Sequence, residues 1–193
     1  MAGTLGQIVS LLALWIGMAV PVVIAIVRTR PRGLFRFRWT DIVWGLALGI
    51  VLRLIQGWLD VAAGGAGGLP SYSTLNGDLG PLFWFTGVVG PVAIAPVMEE
   101  LLFRGVILVT VYRTAKRGLE AGILAVIAST ALFVAIHSVN GVTRWDEPVY
   151  LTLVGVVTGT LVLLTGRIWG AVITHVVFNG MLVALTLVGT ALA

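Results

Sequence analysis

The chain has 193 residues, of which 59% are apolar and only 10% are charged, and its mean hydropathy is +1.07. An ordinary globular domain is about 45–50% apolar and about 25% charged, so a water-soluble domain of this size would expose large apolar patches. The composition therefore indicates a membrane protein. The absence of cysteine excludes thiolate catalysis, cysteine-ligated metals and disulfides.

Six apolar stretches are long enough to cross about 30 Å of hydrocarbon as helices. The first lacks the basic start and small-residue cleavage site of a signal peptide, and the third contains two prolines, which favour kinks. We predict an all-α, polytopic bundle of about six transmembrane helices with a broken third helix, in a single membrane domain over residues 1–193. The predicted spans are 5–27, 41–63, 81–112 (a short outer piece followed by a membrane helix), 119–137, 149–165 and 168–192.

Lysine and arginine in the connecting segments predict the orientation, because basic segments stay on the cytoplasmic side. The successive segments carry five, none, three, one and one basic residues. We expect the first, third and fifth segments to be cytoplasmic and both termini to face outward. Segment 28–39 interleaves arginines with aromatic residues, as nucleic-acid patches also do. Because it lies between two apolar spans, we interpret it as a membrane-surface loop and expect no nucleic-acid partner.

Ionisable residues inside apolar spans are costly and mark functional sites or buried pairs. In the third span, Glu100 and Arg104 are four residues apart, so they lie on one helix face and can pair. Glu99 points about 100° away and has no such partner. A structural ion pair would explain Glu100 and Arg104 but not the second carboxylate.

Both histidines of the chain also lie in apolar spans. His137 follows Phe133 by one helical turn, and His175 precedes Asn179 by one turn on a shared face. A single intramembrane histidine is often only a helix-to-helix hydrogen bond. Two histidines with a spare glutamate and an amide supply the groups that activate water and hold an oxyanion. They indicate a hydrolytic site without a side-chain nucleophile.

Three motifs, in this order on successive helical regions, resemble those of the CPBP family over about residues 91–185: Glu99-Glu100-x-x-x-Arg104, Phe133-x-x-x-His137 and His175-x-x-x-Asn179. That family contains CAAX prenyl proteases of the Ras-converting type and bacteriocin-processing or self-immunity proteins. The resemblance implies a glutamate-dependent intramembrane endopeptidase that uses no metal or other cofactor. The implied catalytic residues are Glu99 as general base with His137 sharing that role, and His175 and Asn179 as oxyanion donors; the implied supporting residues are Glu100, Arg104 and Phe133.

The resemblance implies a reaction type but a broader range of substrates. CAAX proteases of this type remove the last three residues after a prenylated cysteine, whereas many bacterial relatives have no prenylated substrate. We expect a membrane-anchored or prenylated protein or peptide as substrate, and an integral multi-pass protein of a prokaryotic cell membrane. The oligomeric state is not predicted.

Two alternatives stay open from the residues alone. One carboxylate and two histidines also suit a zinc-dependent hydrolase, although the chain has no His-Glu-x-x-His pair. A non-catalytic immunity, scaffold or carrier protein could use the same groups as a buried polar network.

Two further features of the spans lead to expectations. We interpret Arg53, inside the second span, as pairing with an acid or snorkelling rather than contacting a substrate carboxylate. Counting helical rise from the basic segments places His137 near the outer boundary but His175 only about 10 Å from the inner one. These depths disagree, so either a span boundary is misplaced or the sixth span begins with an unwound stretch around residues 165–170.

Overall fold

The computed structural model describes residues 2–31, 33–74, 79–80, 82–139, 141–142 and 144–193. All regular secondary structure within these ranges is helical. The helices are α1 (Ala2–Thr29), α2 (Trp39–Ala62), α3 (residues 84–114), α4 (Leu119–His137), α5 (Asp146–Thr165) and α6 (Trp169–Leu192). In the bundle, α2 packs mainly on α6 and α4 packs on α5, whereas α1 contacts α3.

The predicted all-α polytopic bundle is confirmed. Five helices among the described residues are long and apolar enough to cross a membrane, namely all except α3. Helix ends lie within three residues of the predicted ones, because charged and turn-forming residues end both the apolar pattern and the helix. Arg32 of the basic segment and Pro81, where the third span was predicted to begin, lie outside the described residues.

The interruption of the third helix is a change of winding rather than a gap. Pro91 and Pro96 are five residues apart, and because neither has an amide hydrogen, carbonyls one turn earlier lose a donor. Side chains supply hydrogen bonds there: the Tyr72 hydroxyl donates to the Gly87 carbonyl at 3.3 Å, and the Asn179 amide donates to the Pro91 carbonyl at 2.9 Å. Along α3 the winding is π over Trp84–Ile94, α over Ala95–Glu100, π over Leu101–Leu108 and α over Val109–Thr114.

Gly45 and Gly49 allow α2 to approach α6 closely. A Cβ on Gly45 would lie 2.5 Å from the Ile173 side chain, and a Cβ on Gly49 would lie 2.7 Å from Val177 and 2.8 Å from the Thr174 carbonyl oxygen. Small residues four apart are typical of membrane helices that pack by van der Waals contact. This contact positions α6, the helix that carries two of the predicted site residues.

The start of α6 is covered by the loop that precedes α2. The Arg167 guanidinium donates to Asp41, which is 1% exposed, at 2.7 Å, and Ile168 donates its backbone N–H to the Leu34 carbonyl at 3.0 Å. The hydrogen bond with Asp41 raises the pKa of Arg167. Arg167 is thus bound to the bundle, and residues 166–168, within the predicted unwound stretch, are not helical.

Candidate active site

Three of the predicted site residues meet between α3, α4 and α6. Glu99 lies in the α-helical turn between the two π segments of α3, His137 is the last residue of α4, and His175 lies in the second turn of α6. Glu99 Oε2 is 3.8 Å from His137 Nε2 and 3.7 Å from His175 Nε2. One carboxylate oxygen therefore faces both imidazoles.

The partners of the two Nδ1 atoms determine which ring nitrogen faces Glu99. His137 Nδ1 lies 2.8 Å from the Phe133 carbonyl oxygen, and His175 Nδ1 lies 2.9 Å from Glu100 Oε1. A carbonyl oxygen and an ionised carboxylate only accept hydrogen bonds, so we assign a hydrogen to both Nδ1 atoms. Each neutral imidazole then presents the Nε2 lone pair to Glu99, and each protonated one presents an N–H.

Glu100 and Arg104 form the buried base of the site. Both side chains have 0% exposure, and Arg104 Nε lies 3.3 Å from Glu100 Oε2. Arg104 also donates to Thr158 Oγ1, from Nε at 2.9 Å and from Nη2 at 2.6 Å. The predicted ion pair is present, and Glu100 has a second partner in His175. Because Glu100 is shared, loss of its charge would affect both an arginine and an imidazole.

Phe133 packs against both imidazoles. Its ring centroid lies 4.3 Å from that of His137 and 5.8 Å from that of His175. The Arg104 guanidinium carbon lies 4.9 Å from the same centroid, within cation–π distance. A residue that sequence spacing presents only as a neighbour of His137 therefore packs against both histidines and Arg104.

Asn179 lies one turn beyond His175 on α6, and its amide Nδ2 donates to the Pro91 carbonyl oxygen at 2.9 Å. Among the interactions of the described residues, no hydrogen bond or ion pair joins Asn179 to Glu99 or to either histidine. An amide group has two hydrogens, and the bond to Pro91 uses one of them. The structure thus brings Glu99, His137 and His175 together, whereas Asn179, one turn from His175 on α6, has a different partner.

A cavity of about 450 Å³ opens onto Glu99 and His137. The other side chains of its wall come from α1, α3, the end of α4 and the turn that follows it, and all are apolar: Leu14, Met18, Leu102, Phe103, Ile136 and Val139. Few polar groups within apolar walls are typical of sites that bind organic ligands.

A family model described as type II CAAX prenyl endopeptidase, Rce1-like, matches residues 81–181, just over half of the chain. The chain belongs to this Rce1-like family. It is therefore an integral membrane protease of the CAAX prenyl endopeptidase type, with a membrane-associated protein as substrate. The matched residues include all seven predicted site residues. Neither the curated proteins nor the solved structures give a match to the chain.

The Rce1-like match does not include α2, and there the expectation for Arg53 is wrong. Arg53 is 5% exposed, so it does not snorkel, and no ion pair of the described residues involves it. It donates to the Phe178 carbonyl oxygen from Nε at 3.0 Å and from Nη2 at 2.6 Å, contacts Gln56, and lies 4.0 Å from the Phe178 ring centroid. Sequence patterns do not reveal a partner that is a backbone carbonyl on a distant helix.

Thr158 of this Rce1-like chain is a site residue that the sequence analysis did not identify. Its side chain is completely buried and accepts both hydrogen bonds from Arg104. Gly155, one turn before Thr158 on α5, allows α5 to approach α4 closely, since a Cβ at Gly155 would lie 2.6 Å from the Thr130 side chain. A small polar residue flanked by glycines in an apolar span was the available signal.

Proposed function

We propose that this protein hydrolyses a peptide bond of a membrane-anchored substrate by activating water with Glu99. The supporting observation is the approach of Glu99 Oε2 to two imidazole Nε2 atoms at 3.7 and 3.8 Å. These separations exceed direct N–H···O hydrogen bonds of about 2.7–3.2 Å and suit a bridging water. In this proposal Glu99 is the general base and His137 shares the proton.

The charges of the buried groups favour one mobile proton. Two carboxylates, Glu99 and Glu100, face one guanidinium, Arg104, so full ionisation leaves one net negative charge in a poorly solvated place. One additional proton, on an imidazole or on Glu99, makes the cluster neutral. In the proposed mechanism this proton is on His175, whose Nδ1 lies 2.9 Å from Glu100 Oε1, so that its Nε2–H is a donor near Glu99.

The proposed reaction consumes one water. Glu99 takes a proton from water as the water oxygen attacks the carbonyl carbon of the scissile bond. The oxyanion accepts hydrogen bonds from His175 Nε2–H and from the second amide hydrogen of Asn179. The proton then passes from Glu99, directly or through His137, to the leaving nitrogen as the C–N bond breaks. Glu99 is again ionised, and the products are a carboxylic acid and an amine, which exchange a proton to give a carboxylate and an ammonium group.

The apolar wall of the cavity supports a substrate held in the bilayer. Six apolar side chains surround Glu99 and His137, and a hydrocarbon anchor or apolar peptide side chains would be removed from water there. We propose a membrane-anchored protein or peptide, including the prenylated CAAX tail that the family description names, as the substrate. We propose a prokaryotic cell membrane as its location.

Cleavage of anchored peptides in proteoliposomes, followed by mass spectrometry, tests this function. One peptide carries a prenylated CAAX sequence and should lose its last three residues; the other carries the same sequence on a saturated acyl anchor. Glu99→Gln should lower the rate at least about 10²-fold, whereas Glu120→Gln, at the exposed start of α4, should not change it. Normal cleavage by Glu99→Gln would refute the role of Glu99, and no cleavage of either peptide by the unmodified protein would refute the peptidase.

The Nδ1 contacts also favour one other function, a zinc hydrolase, because zinc-bound histidines hold their second nitrogen in the same way. Tetrahedral zinc with bonds of about 2.0–2.1 Å separates its ligand atoms by roughly 3.3 Å, which is closer than the two Nε2 atoms lie to Glu99. Within the described residues, no three His, Asp or Glu side chains are arranged to hold a metal ion. We therefore propose metal-independent hydrolysis that survives strong chelators. Loss of cleavage activity on chelation, with recovery when zinc is added, would favour the zinc hydrolase.

A further inference from the structure

The basic segments lie together at one end of the bundle, called here the basic end. Pro31 and Leu34, from the arginine-rich segment, line a cavity of about 380 Å³ with Arg113 and Arg117, from the segment after α3, and Gly166. All three segments that carry the excess of Lys and Arg in the sequence therefore adjoin. Because such segments stay in the cytoplasm, the basic end is the cytoplasmic end.

The opposite end of the bundle has a single basic residue in its loops, Arg144. Its guanidinium pairs with Asp60 at 3.0 Å and with Asp146 at 2.9 Å, where α2 ends and α5 begins. The hydrogen bond with Asp146 raises the pKa of Arg144. The loops at this end therefore carry one basic residue against nine in the three segments of the basic end, and this excess of Lys and Arg decides which end stays in the cytoplasm.

The catalytic cavity lies toward this opposite end. α4 starts beside the basic end and has 19 residues, a rise of about 28 Å, close to the roughly 30 Å of the hydrocarbon core. His137 is its last residue, and Val139, also in the cavity wall, is 77% exposed beyond the helix end. The cavity therefore reaches the membrane boundary that is farther from the basic end.

The exposure of the site residues rises in the same direction. The exposed side-chain fraction is 0% for Glu100, 5% for His175, 15% for Glu99 and 32% for His137. Because His137 ends α4, access to Glu99 runs past His137 and away from the basic end.

A packed apolar core separates the site from the basic end. Leu108 follows Arg104 by one turn of α3 toward the basic end, and Val172 precedes His175 by one turn of α6 toward the same end. Both belong to a cluster of eight buried residues, the others being Leu34, Ala125, Val126, Val162, Ile168 and Ala171. Protein interiors of this kind have few voids larger than a water molecule, so a peptide does not reach Glu99 from that side.

We infer that the active site opens to the non-cytoplasmic face of the membrane. This rests on the proposed function and narrows its substrate class to anchored proteins or peptides whose scissile bond lies on that face. The hydrocarbon anchor would lie against Leu14, Met18 and Ile136 in the cavity wall. A tail presented from the cytoplasm would meet the apolar core instead.

Cysteine labelling tests the direction of access, because the chain has no native cysteine. Val139→Cys places one thiol at the mouth of the cavity, and Thr114→Cys places one at the exposed end of α3 without removing a basic residue. A membrane-impermeant maleimide added to intact cells should label the Val139→Cys protein at once and the Thr114→Cys protein only after permeabilisation. The reverse pattern would overturn the inference.

Cleavage in cells tests the substrate class separately. The CAAX sequence of the two proteoliposome peptides is placed at the C-terminus of a single transmembrane anchor that is built in two orientations, so that the sequence lies on the non-cytoplasmic or the cytoplasmic side, with Glu99→Gln as the inactive control. We expect cleavage of the non-cytoplasmic fusion at least 10-fold faster than that of the cytoplasmic one. Equal or faster cleavage of the cytoplasmic fusion would overturn the inference and leave the peptidase intact. Cleavage of neither would count against the peptidase, and the labelling pattern would then decide the direction of access.

Discussion

Glu100 Oε1 accepts a hydrogen bond of 2.9 Å from His175 Nδ1, although 75 residues separate the two in sequence. The same carboxylate lies 3.3 Å from Arg104 Nε. Glu100 thus joins the buried cation to one of the two imidazoles that face Glu99, whereas the other imidazole, His137, is held by a backbone carbonyl of its own helix. The two histidines therefore differ in what their removal leaves behind.

We predict that His137→Ala and His175→Ala both lower the cleavage rate, each by about 10² to 10⁴-fold if the residue takes part in proton transfer or oxyanion binding. Only His175→Ala should also lower stability, by about 1–3 kcal/mol, because it leaves Glu100 Oε1 buried without its donor. His137 is partly exposed, and its loss leaves only the Phe133 carbonyl, which is already in a helix. Thermal unfolding in detergent and peptide cleavage measure the two effects. Equal loss of stability in both variants would contradict this difference.

Much of the fold follows from the sequence because hydropathy and charge decide where a chain crosses a bilayer. Helix α4 begins and ends at the predicted residues, and α5 ends at its predicted last residue, Thr165. The three motifs predict one site for Glu99, His137, His175 and Asn179, and the structure brings the first three of these together. Helical spacing alone gave the Glu100–Arg104 pair, since residues four apart share a face.

Other features depend on packing between distant segments. The π turns of α3 arise where Pro91 and Pro96 meet partners on other segments, and hydropathy does not report winding. The contact between Glu100 and His175 requires the rotation of α6, which the close approach at Gly49 sets. Arg53 donates to the backbone carbonyl oxygen of Phe178. Because backbone carbonyls occur all along the chain, no sequence pattern identifies the partner of Arg53.

The close contact between α2 and α6 predicts opposite results for two glycines of one helix. A Cβ at Gly49 would lie 2.7 Å from Val177, whereas a Cβ at Gly57 would have nothing within 4 Å. Gly49→Ala should lower stability by about 1–3 kcal/mol through overpacking, and Gly57→Ala should leave it unchanged or raise it slightly, since alanine favours helix. Thermal unfolding in detergent compares the two variants. A neutral Gly49→Ala would show that the two helices separate without cost.

Asn179 and Pro96 form a pair whose effects on stability should be coupled. Asn179→Ala removes the donor to the Pro91 carbonyl and should lower stability by about 1–3 kcal/mol. Pro96→Ala restores an amide hydrogen five residues after that carbonyl, where a π turn can use it. In the Pro96→Ala background, the loss of stability caused by Asn179→Ala should therefore be smaller.

The cleavage rate separates the two possible roles of Asn179. If it donates to the oxyanion, Asn179→Ala should remain about 10²-fold slower even where Pro96→Ala has recovered the stability. Recovery of both stability and rate in the double variant would instead mean that Asn179 acts only by holding α3.

The last prediction separates charge balance from catalysis at the buried base of the site. Glu100→Ala leaves Arg104 uncompensated at 0% exposure and should lower stability by about 3–5 kcal/mol. Adding Arg104→Ala removes the second charge and should recover part of that stability. The cleavage rate should stay low in the double variant, because His175 Nδ1 still lacks its carboxylate partner.

The control pair for this experiment is Asp41 with Arg167, which are joined at 2.7 Å near the basic end. Asp41→Ala with Arg167→Ala should lower the unfolding temperature but leave the cleavage rate of the folded protein unchanged, since neither residue contacts the site. Unfolding in detergent and cleavage of the anchored peptide are measured on the same preparations. If the Glu100→Ala, Arg104→Ala double variant cleaves at the unmodified rate, the carboxylate does not position His175, and the hydrogen bond between them serves stability alone.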